Sequence, residues 1–164
     1  MIVECPAFEG GVIADKYGKR GSKFGAGGMP SLSFPLKISD APAGTASFAV
    51  IFDDPDSVPV CGFKWIHWLV AGLKNGELEE DASRTRTDII QGANSWYLHG
   101  TDDKAEASFY GGPAPPDRPH VYVLTVLALD FVPALRNGFD AETLNKVAST
   151  HILAKAVLKG RYDN

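Results

Sequence analysis

Residues 110–130 read YGGPAPPDRPHVYVLTVLALD, and they decide how the rest of the chain is read. The segment opens on a corner, Gly111-Gly112-Pro113-Ala114-Pro115-Pro116. Proline fixes φ and pushes the residue before it toward extended geometry, so this corner is stiff. Val and Leu then occupy both alternating faces up to Leu129, which predicts a strand over 121–129 buried on both sides. Side chains two apart on a strand share a face, about 6.5–7 Å apart. His120 and Tyr122 therefore point the same way, at the mouth of a buried strand and beside a preset loop. That arrangement suits a small pocket better than an open surface.

Two further segments put polar groups at the ends of apolar strands. Residues 45–52, TASFAVIF, run straight into Asp53-Asp54-Pro55-Asp56. Residues 63–71, FKWIHWLVA, form a strand with Trp65, His67 and Leu69 on one face and Ile66, Trp68 and Val70 on the other. Taken singly, each has a plain explanation. Asp-Pro-Asp makes an Asx-type turn, a His between tryptophans is satisfied inside a core, and His120 simply follows a loop. Together they outweigh those explanations, because these strands must pack against one another and buried His or Asp needs a partner.

The remaining chain supplies the frame. Residues 2–14 read as one or two short strands interrupted at Pro6 and Gly10-Gly11. Residues 15–30, DKYGKRGSKFGAGGMP, read as a flexible surface loop without a phosphate-cradling pattern. Its Lys16, Lys19, Arg20 and Lys23 are candidates to bring positive charge near a pocket. Residues 31–38 suit an edge strand carrying Pro35, and a weak strand lies near Ile89. Asp140 is placed to N-cap a helix over 141–159, with Leu144, Ala148, Ile152 and Ala156 in an i, i+4 row and Gly160 as its terminator. Many short strands between Gly/Pro turns, then one helix, predict a mostly β architecture: an antiparallel sandwich with a C-terminal α-helix.

The 164 residues favour a single domain, 1–164. A net charge of −4 without a basic run argues against nucleic acid as a partner. No signal-peptide pattern and no apolar run near the roughly 20 residues of a membrane span is present, so a cytoplasmic protein is expected. Cys5 and Cys61 are then expected as free thiols.

At this point the residues carry a resemblance. Asp54-Pro55-Asp56, Trp65-Ile66-His67-Trp68, Tyr110-x-Gly112-Pro113-x-Pro115-Pro116 and His120-Val121-Tyr122 resemble the phosphatidylethanolamine-binding protein family. The closer likeness is to its bacterial Raf-kinase-inhibitor-like YbhB/YbcL branch, over roughly residues 30–160. Pro42-Ala43-Gly44-Thr45 with Ser47-Phe48 also resembles the family's approach to its Asp-Pro-Asp motif. Three departures stand out. Ser57-Val58-Pro59 follows the motif where the family usually has Ala-Pro. Val121 replaces an Arg, on the strand face away from the pocket. The corner between Pro116 and His120 is shorter than in eukaryotic members.

The resemblance implies a Greek-key β-sandwich and a non-enzymatic protein with a small anion pocket. By the same likeness Asp54, Asp56, His67, Ala114, Pro115, His120 and Tyr122 line that pocket. The ligand expected is a small anion: phosphate, a phosphorylethanolamine-like head group or a carboxylate. No cofactor is implied. Modulation of a partner kinase or protease, and a homodimer, belong to the same implication. Tyr122 and the imidazoles are expected to donate to the anion, with Asp54 orienting His67 or His120 or meeting a ligand amine. Affinity is then expected to rise as pH falls from about 8 to 6, through an imidazole with the reference pKa of about 6.5. Two enzyme readings compete: a metal-dependent enzyme using His67, His120 and an Asp, and ester hydrolysis through Ser57, Ser95 or Ser108, for which no nucleophile-elbow motif exists.

Overall fold

A computed structural model describes residues 1–164. The chain is mostly β and forms two antiparallel sheets. Its elements run β1 (Ile2–Glu4), β2 (Leu36–Ser39), β3 (Ser47–Asp54), a short α1 (Val58–Cys61) and β4 (Trp65–Leu73). They continue through β5 (Glu77–Leu78), α2 (Ala82–Thr85), β6 (Ile90–Gln91) and β7 (His120–Leu129) to α3 (Ala141–Ala148) and β8 (Ile152–Tyr162). The small sheet has the order β1-β2-β5 and the large one β6-β4-β3-β7-β8.

β3 is the hub. It pairs antiparallel with β4 on one side and with β7 on the other, and every one of its residues is buried. The uninterrupted apolar run is explained by two cores. Phe48, Val50 and Phe52 face the space between the sheets, where Phe34, Trp68, Tyr110 and Tyr122 also lie. Phe34 sits edge-on to Phe52, Trp68 and Tyr110 at 5.2–5.6 Å, the geometry aromatic quadrupoles favour. Ala49 and Ile51 face the other way, against Leu69, Leu127 and the Leu144 and Ala148 stripe of α3. The expected central strands 45–52, 63–71 and 121–129 are β3, β4 and β7, displaced by two residues at most at either end.

The C-terminal helix is present but ends at Ala148. Asp140 caps it as expected, its Oδ1 accepting from Thr143 N at 2.7 Å. Residues 152–162 are not helical. They form β8, which pairs with β7 over ten residue pairs. The i, i+4 row of Leu144, Ala148, Ile152 and Ala156 competes here with a second period. Ala154, Ala156, Leu158, Gly160 and Tyr162 alternate with Lys155, Val157, Lys159 and Arg161, which is strand patterning. Pairing with the long β7 decides for the strand. Gly160 is not a helix terminator; it lies opposite Tyr122 in the ladder. A Cβ there would stand 2.6 Å from Ile13 Cγ1 and 2.7 Å from Phe8 Cδ1, so the position accepts only Gly without movement.

The N-terminal segment also departs from expectation. Beyond β1, residues 6–11 form 3-10 turns rather than a second strand. Residues 15–30, expected as a flexible loop, hold two short 3-10 turns and buried Tyr17 and Met29. They brace the Pro-rich corner. Gly112 N donates to Pro30 O, Lys19 N to Pro113 O, and Tyr110 Oη to Tyr17 O, each at 2.8 Å. A side chain at Gly112 would meet Tyr17 O at 2.0 Å, which is why the corner needs Gly at that point. Three of the segment's four basic side chains are engaged elsewhere: Lys16 with Glu80, Lys23 with Asp81, and Arg20 with Asp15 and Asn164 O. Only Lys19 reaches the corner, its Nζ donating to Pro115 O at 2.6 Å.

Candidate functional site

At one end of the large sheet, the termini of β3, β4 and β7 meet the 111–116 corner. Asp54 closes β3, His67 stands near the start of β4, and His120 and Tyr122 open β7. With Ala114 and Pro115 they line a single cavity of about 180 Å³. Ser57, Val60, Cys61, Trp65, Trp96 and Pro116 complete the wall. No lysine or arginine is among these residues.

Asp56, expected in the same set, lies outside the lining. Its Oδ2 accepts from Val121 N at 2.9 Å and its Oδ1 faces Arg118 Nη2 at 3.6 Å. Asp54 is the cause. Its Oδ1 accepts from Asp56 N at 2.9 Å and caps a 3-10 turn over Pro55–Ser57, so Asp56 turns away toward β7. The Asp-Pro-Asp sequence thus forms an Asx-type turn and supplies a pocket carboxylate at once.

The serine after the motif is structural. Ser57 Oγ lies 2.6 Å from Asp54 O and 3.0 Å from Phe63 O, and accepts from Trp65 N at 2.8 Å. A hydroxyl occupied by three backbone groups is not free to act as a nucleophile. It also sews the turn to β4, while Val58–Cys61 form one helical turn after it.

His120 is locked between two carboxylates. Nδ1 stands 2.6 Å from Asp54 Oδ2 and Nε2 stands 2.9 Å from Asp117 Oδ1. The Asp54 carboxyl titrates above the ordinary carboxylate value because burial outweighs the His120 hydrogen bond. Asp117 titrates below it: desolvation raises it, and the His120 hydrogen bond and backbone N–H groups more than offset that. Asp117 was not anticipated. The only sequence trace is its place three residues before His120, in a loop bounded by prolines.

His67 is buried, and its Nδ1 lies 2.5 Å from Gly111 O. A carbonyl can only accept, so Nδ1 carries the hydrogen. Burial above all, against the pull of the Gly111 and Gly112 carbonyls and with the charge of His120 behind it, lowers the pKa to about 4. The ring is therefore neutral at neutral pH, and its Nε2 is a lone-pair acceptor. This corrects the expectation that both imidazoles donate to an anion. His67 is also not the group that charges between pH 8 and 6. Nor do the two histidines assemble a two-His, one-carboxylate metal set, since three of their four nitrogens face protein acceptors.

Tyr122 lies under the cavity between His67 and His120, with ring centroids 5.1 and 6.3 Å away. Burial first, then the charge of Asp54, pushes its phenol well up, so the hydroxyl stays a neutral donor. The Ala114 backbone N–H faces the same hydroxyl and makes no backbone hydrogen bond. Trp65 and Trp96 meet edge-on at 6.0 Å at the mouth, with Phe63 stacked on Trp65 at 5.8 Å. Trp65 was readable as a face-mate of His67. Trp96 comes from a long irregular segment that gave no periodic signal.

Both cysteines are free thiols. Cys5 Sγ donates to Pro35 O at 3.3 Å, and burial pushes it up to about 12. Cys61 is exposed beside the cavity. No helix is long and apolar enough to cross a membrane.

The chain is similar to known proteins over nearly its whole length. The family described as Phosphatidylethanolamine-binding protein matches residues 6–163. YxkA of Bacillus subtilis is 43% identical over 153 residues, covering 90% of this chain and 91% of that protein. A phosphatidylethanolamine-binding protein homolog of Chlamydia trachomatis, CT736, superposes with a TM-score of 0.78 at 31% identity, over 99% of this chain and 96% of that one. YbcL of Escherichia coli superposes with a TM-score of 0.77 at 27% identity, over 99% and 97%.

Proposed function

Because this chain belongs to the phosphatidylethanolamine-binding protein family, we propose that it is a non-enzymatic binding protein whose cavity holds a small phosphate-like or carboxylate group. The observation that carries this reading is the meeting of Asp54, His67, Tyr122 and His120 from three neighbouring strands at one cavity of about 180 Å³. That volume fits a head group rather than a whole lipid or peptide. Two donors are available to oxygen atoms there, the Tyr122 hydroxyl and the Ala114 N–H, and His67 Nε2 offers a lone pair beside them. The 111–116 corner is held by residues 15–30 before any ligand arrives, which spares ordering entropy on binding.

The engaged Ser57 hydroxyl and the His120 ring, held at both nitrogens, favour binding over catalysis. Val58, Val60 and Phe63 are exposed at the mouth, where a partner kinase or protease would meet the pocket. Calorimetry with phosphorylethanolamine and acetate tests the reading. Binding to the wild type, and weaker binding to Tyr122→Phe by roughly fivefold, is expected for loss of one neutral hydrogen bond of about 1 kcal/mol. Equal affinity in the two proteins would remove the pocket from the account.

A further inference from the structure

The groups facing the inside of the cavity are unequal in a way that bears on which anion fits. A neutral imidazole with its hydrogen on Nδ1 offers only a lone pair at Nε2. The Gly111 carbonyl fixes that tautomer at His67 by standing 2.5 Å from Nδ1. Nε2 has no protein partner, yet it is not among the buried side-chain atoms left unpaired, which are Arg84 Nη2 and Trp96 Nε1. It is therefore open to the cavity that His67 lines. The Tyr122 hydroxyl is open in the same sense. The site presents one obligate acceptor beside one donor hydroxyl and one backbone N–H.

The surroundings sharpen the asymmetry. Asp54 at the end of β3, His120 and Tyr122 on β7 and Cys61 on α1 are the titratable groups that share the cavity with His67. Asp117 reaches it only through His120 Nε2. No lysine or arginine lines the space. A fully deprotonated oxyanion would place one oxygen against the His67 lone pair and feel the nearby carboxylate of Asp54. An acid that retains one proton avoids the first conflict. Its O–H donates to Nε2, while its other oxygens accept from Tyr122 Oη and Ala114 N.

We propose that the cavity selects a phosphate monoester, or a free phosphonate, in its monoanionic form, with the acidic O–H donated to His67 Nε2, over oxyanions that carry no proton. The inference rests on the pocket reading above and deepens it. The alternative source of a proton is His67 itself. Burial holds that ring neutral down to about pH 4, so across the neutral range the proton comes with the ligand. Phosphate monoesters lose their second proton near pH 6, so the monoanion is plentiful where sulfate has none left.

Calorimetry with phosphorylethanolamine, methylphosphonate and sulfate between pH 5 and 8 tests this, paired with nitrogen NMR of the histidine rings. Expected are at least tenfold tighter binding of the two phosphorus ligands than of sulfate at pH 6. Their affinity should fall as the monoanion is titrated away, approaching tenfold per pH unit at the alkaline end. The His67 spectrum should show a protonated Nδ1 and a bare Nε2 in both free and bound protein. A His67→Gln variant, whose amide can turn a donor inward, should narrow the preference over sulfate. Sulfate binding as tightly as phosphorylethanolamine, or a His67 imidazolium in the complex, overturns the selection and leaves the pocket standing. Failure of all three probes to bind overturns the pocket reading and the selection together.

Discussion

His120 Nδ1 stands 2.6 Å from Asp54 Oδ2, a bond between the end of β3 and the start of the neighbouring β7. It joins two residues 66 apart in sequence at the point where the sheet opens into the cavity. With Asp117 on the other nitrogen, His120 becomes part of the wall rather than a free arm. That leaves His67, Tyr122 and the Ala114 backbone as polar groups of the lining without a side-chain partner.

Stability should depend on pH through His67. Its folded pKa of about 4 lies below the unfolded value of about 6.5. Between these values the unfolded chain binds a proton that the folded chain refuses, so stability falls as pH falls through that window and levels off below it. The difference of roughly 2.5 pKa units corresponds to about 3 kcal/mol. Asp54, with its raised pKa, works in the opposite direction, and the carboxylates held low add to the loss at the acid end. Comparing urea denaturation of the wild type with His67→Gln removes these common terms. The wild type should lose about 3 kcal/mol more than the variant between pH 7 and 4. Parallel pH profiles would show that His67 is not held neutral.

Gly160→Ala should destabilise by about 1–3 kcal/mol, because the added methyl meets the Ile13 and Phe8 side chains inside the core. Were residues 152–159 helical with Gly160 beyond the end, the same change would cost well under that. The midpoint of urea denaturation distinguishes the two.

Asp140→Ala should cost about 1 kcal/mol at neutral pH, since the Thr143 N–H loses its cap. The Thr143 backbone bond holds the Asp140 carboxyl below its usual value, so the contribution is fully present above the unfolded pKa and disappears as pH falls through the lowered one. A variant as stable as the wild type at pH 7 would discount the cap.

Cys61 and Cys5 should differ in alkylation. Both thiols are raised, Cys5 to about 12 by burial, and Cys61 by burial, then by the charges of Asp54 and Asp117. Exposure leaves Cys61 the reactive one, slowly, and Cys5 inert until the chain unfolds. Mass spectrometry after iodoacetamide treatment should find a single adduct at Cys61, formed more slowly when phosphorylethanolamine is present. Equal labelling of both thiols in the folded protein would contradict this placement.

How much of this was legible in the sequence differs by element. β3 and β4 announced themselves because strands buried on both faces must be largely apolar, and β7 by its apolar run, although Val121, Val123 and Thr125 on one face of its first half are not buried. The four polar residues at their ends stood out against that background. The helix over 141–148 was also legible, from its cap and its stripe. β8 was not, because its alternating residues happen also to satisfy a helical spacing, and only its pairing with β7 decides between them. Residues 15–30 were misread because their Gly-rich composition signals mobility, whereas their backbone groups are spent on bracing the Pro-rich corner. The tautomer of His67 depends on a carbonyl 44 residues away, a relation no local pattern encodes.

The central claim is that the anion site lies where β3, β4 and β7 meet the 111–116 corner. A proton–nitrogen NMR titration with phosphorylethanolamine, read residue by residue, tests it most directly. The account predicts shifts concentrated at the amides of 54–61, 65–67, 111–114 and 120–122 and at the Trp65 and Trp96 indoles, and weakened in Tyr122→Phe. Shifts centred instead on the polar cavity lined by Arg84, Arg86 and Lys104, with residues 111–122 unmoved, would contradict it.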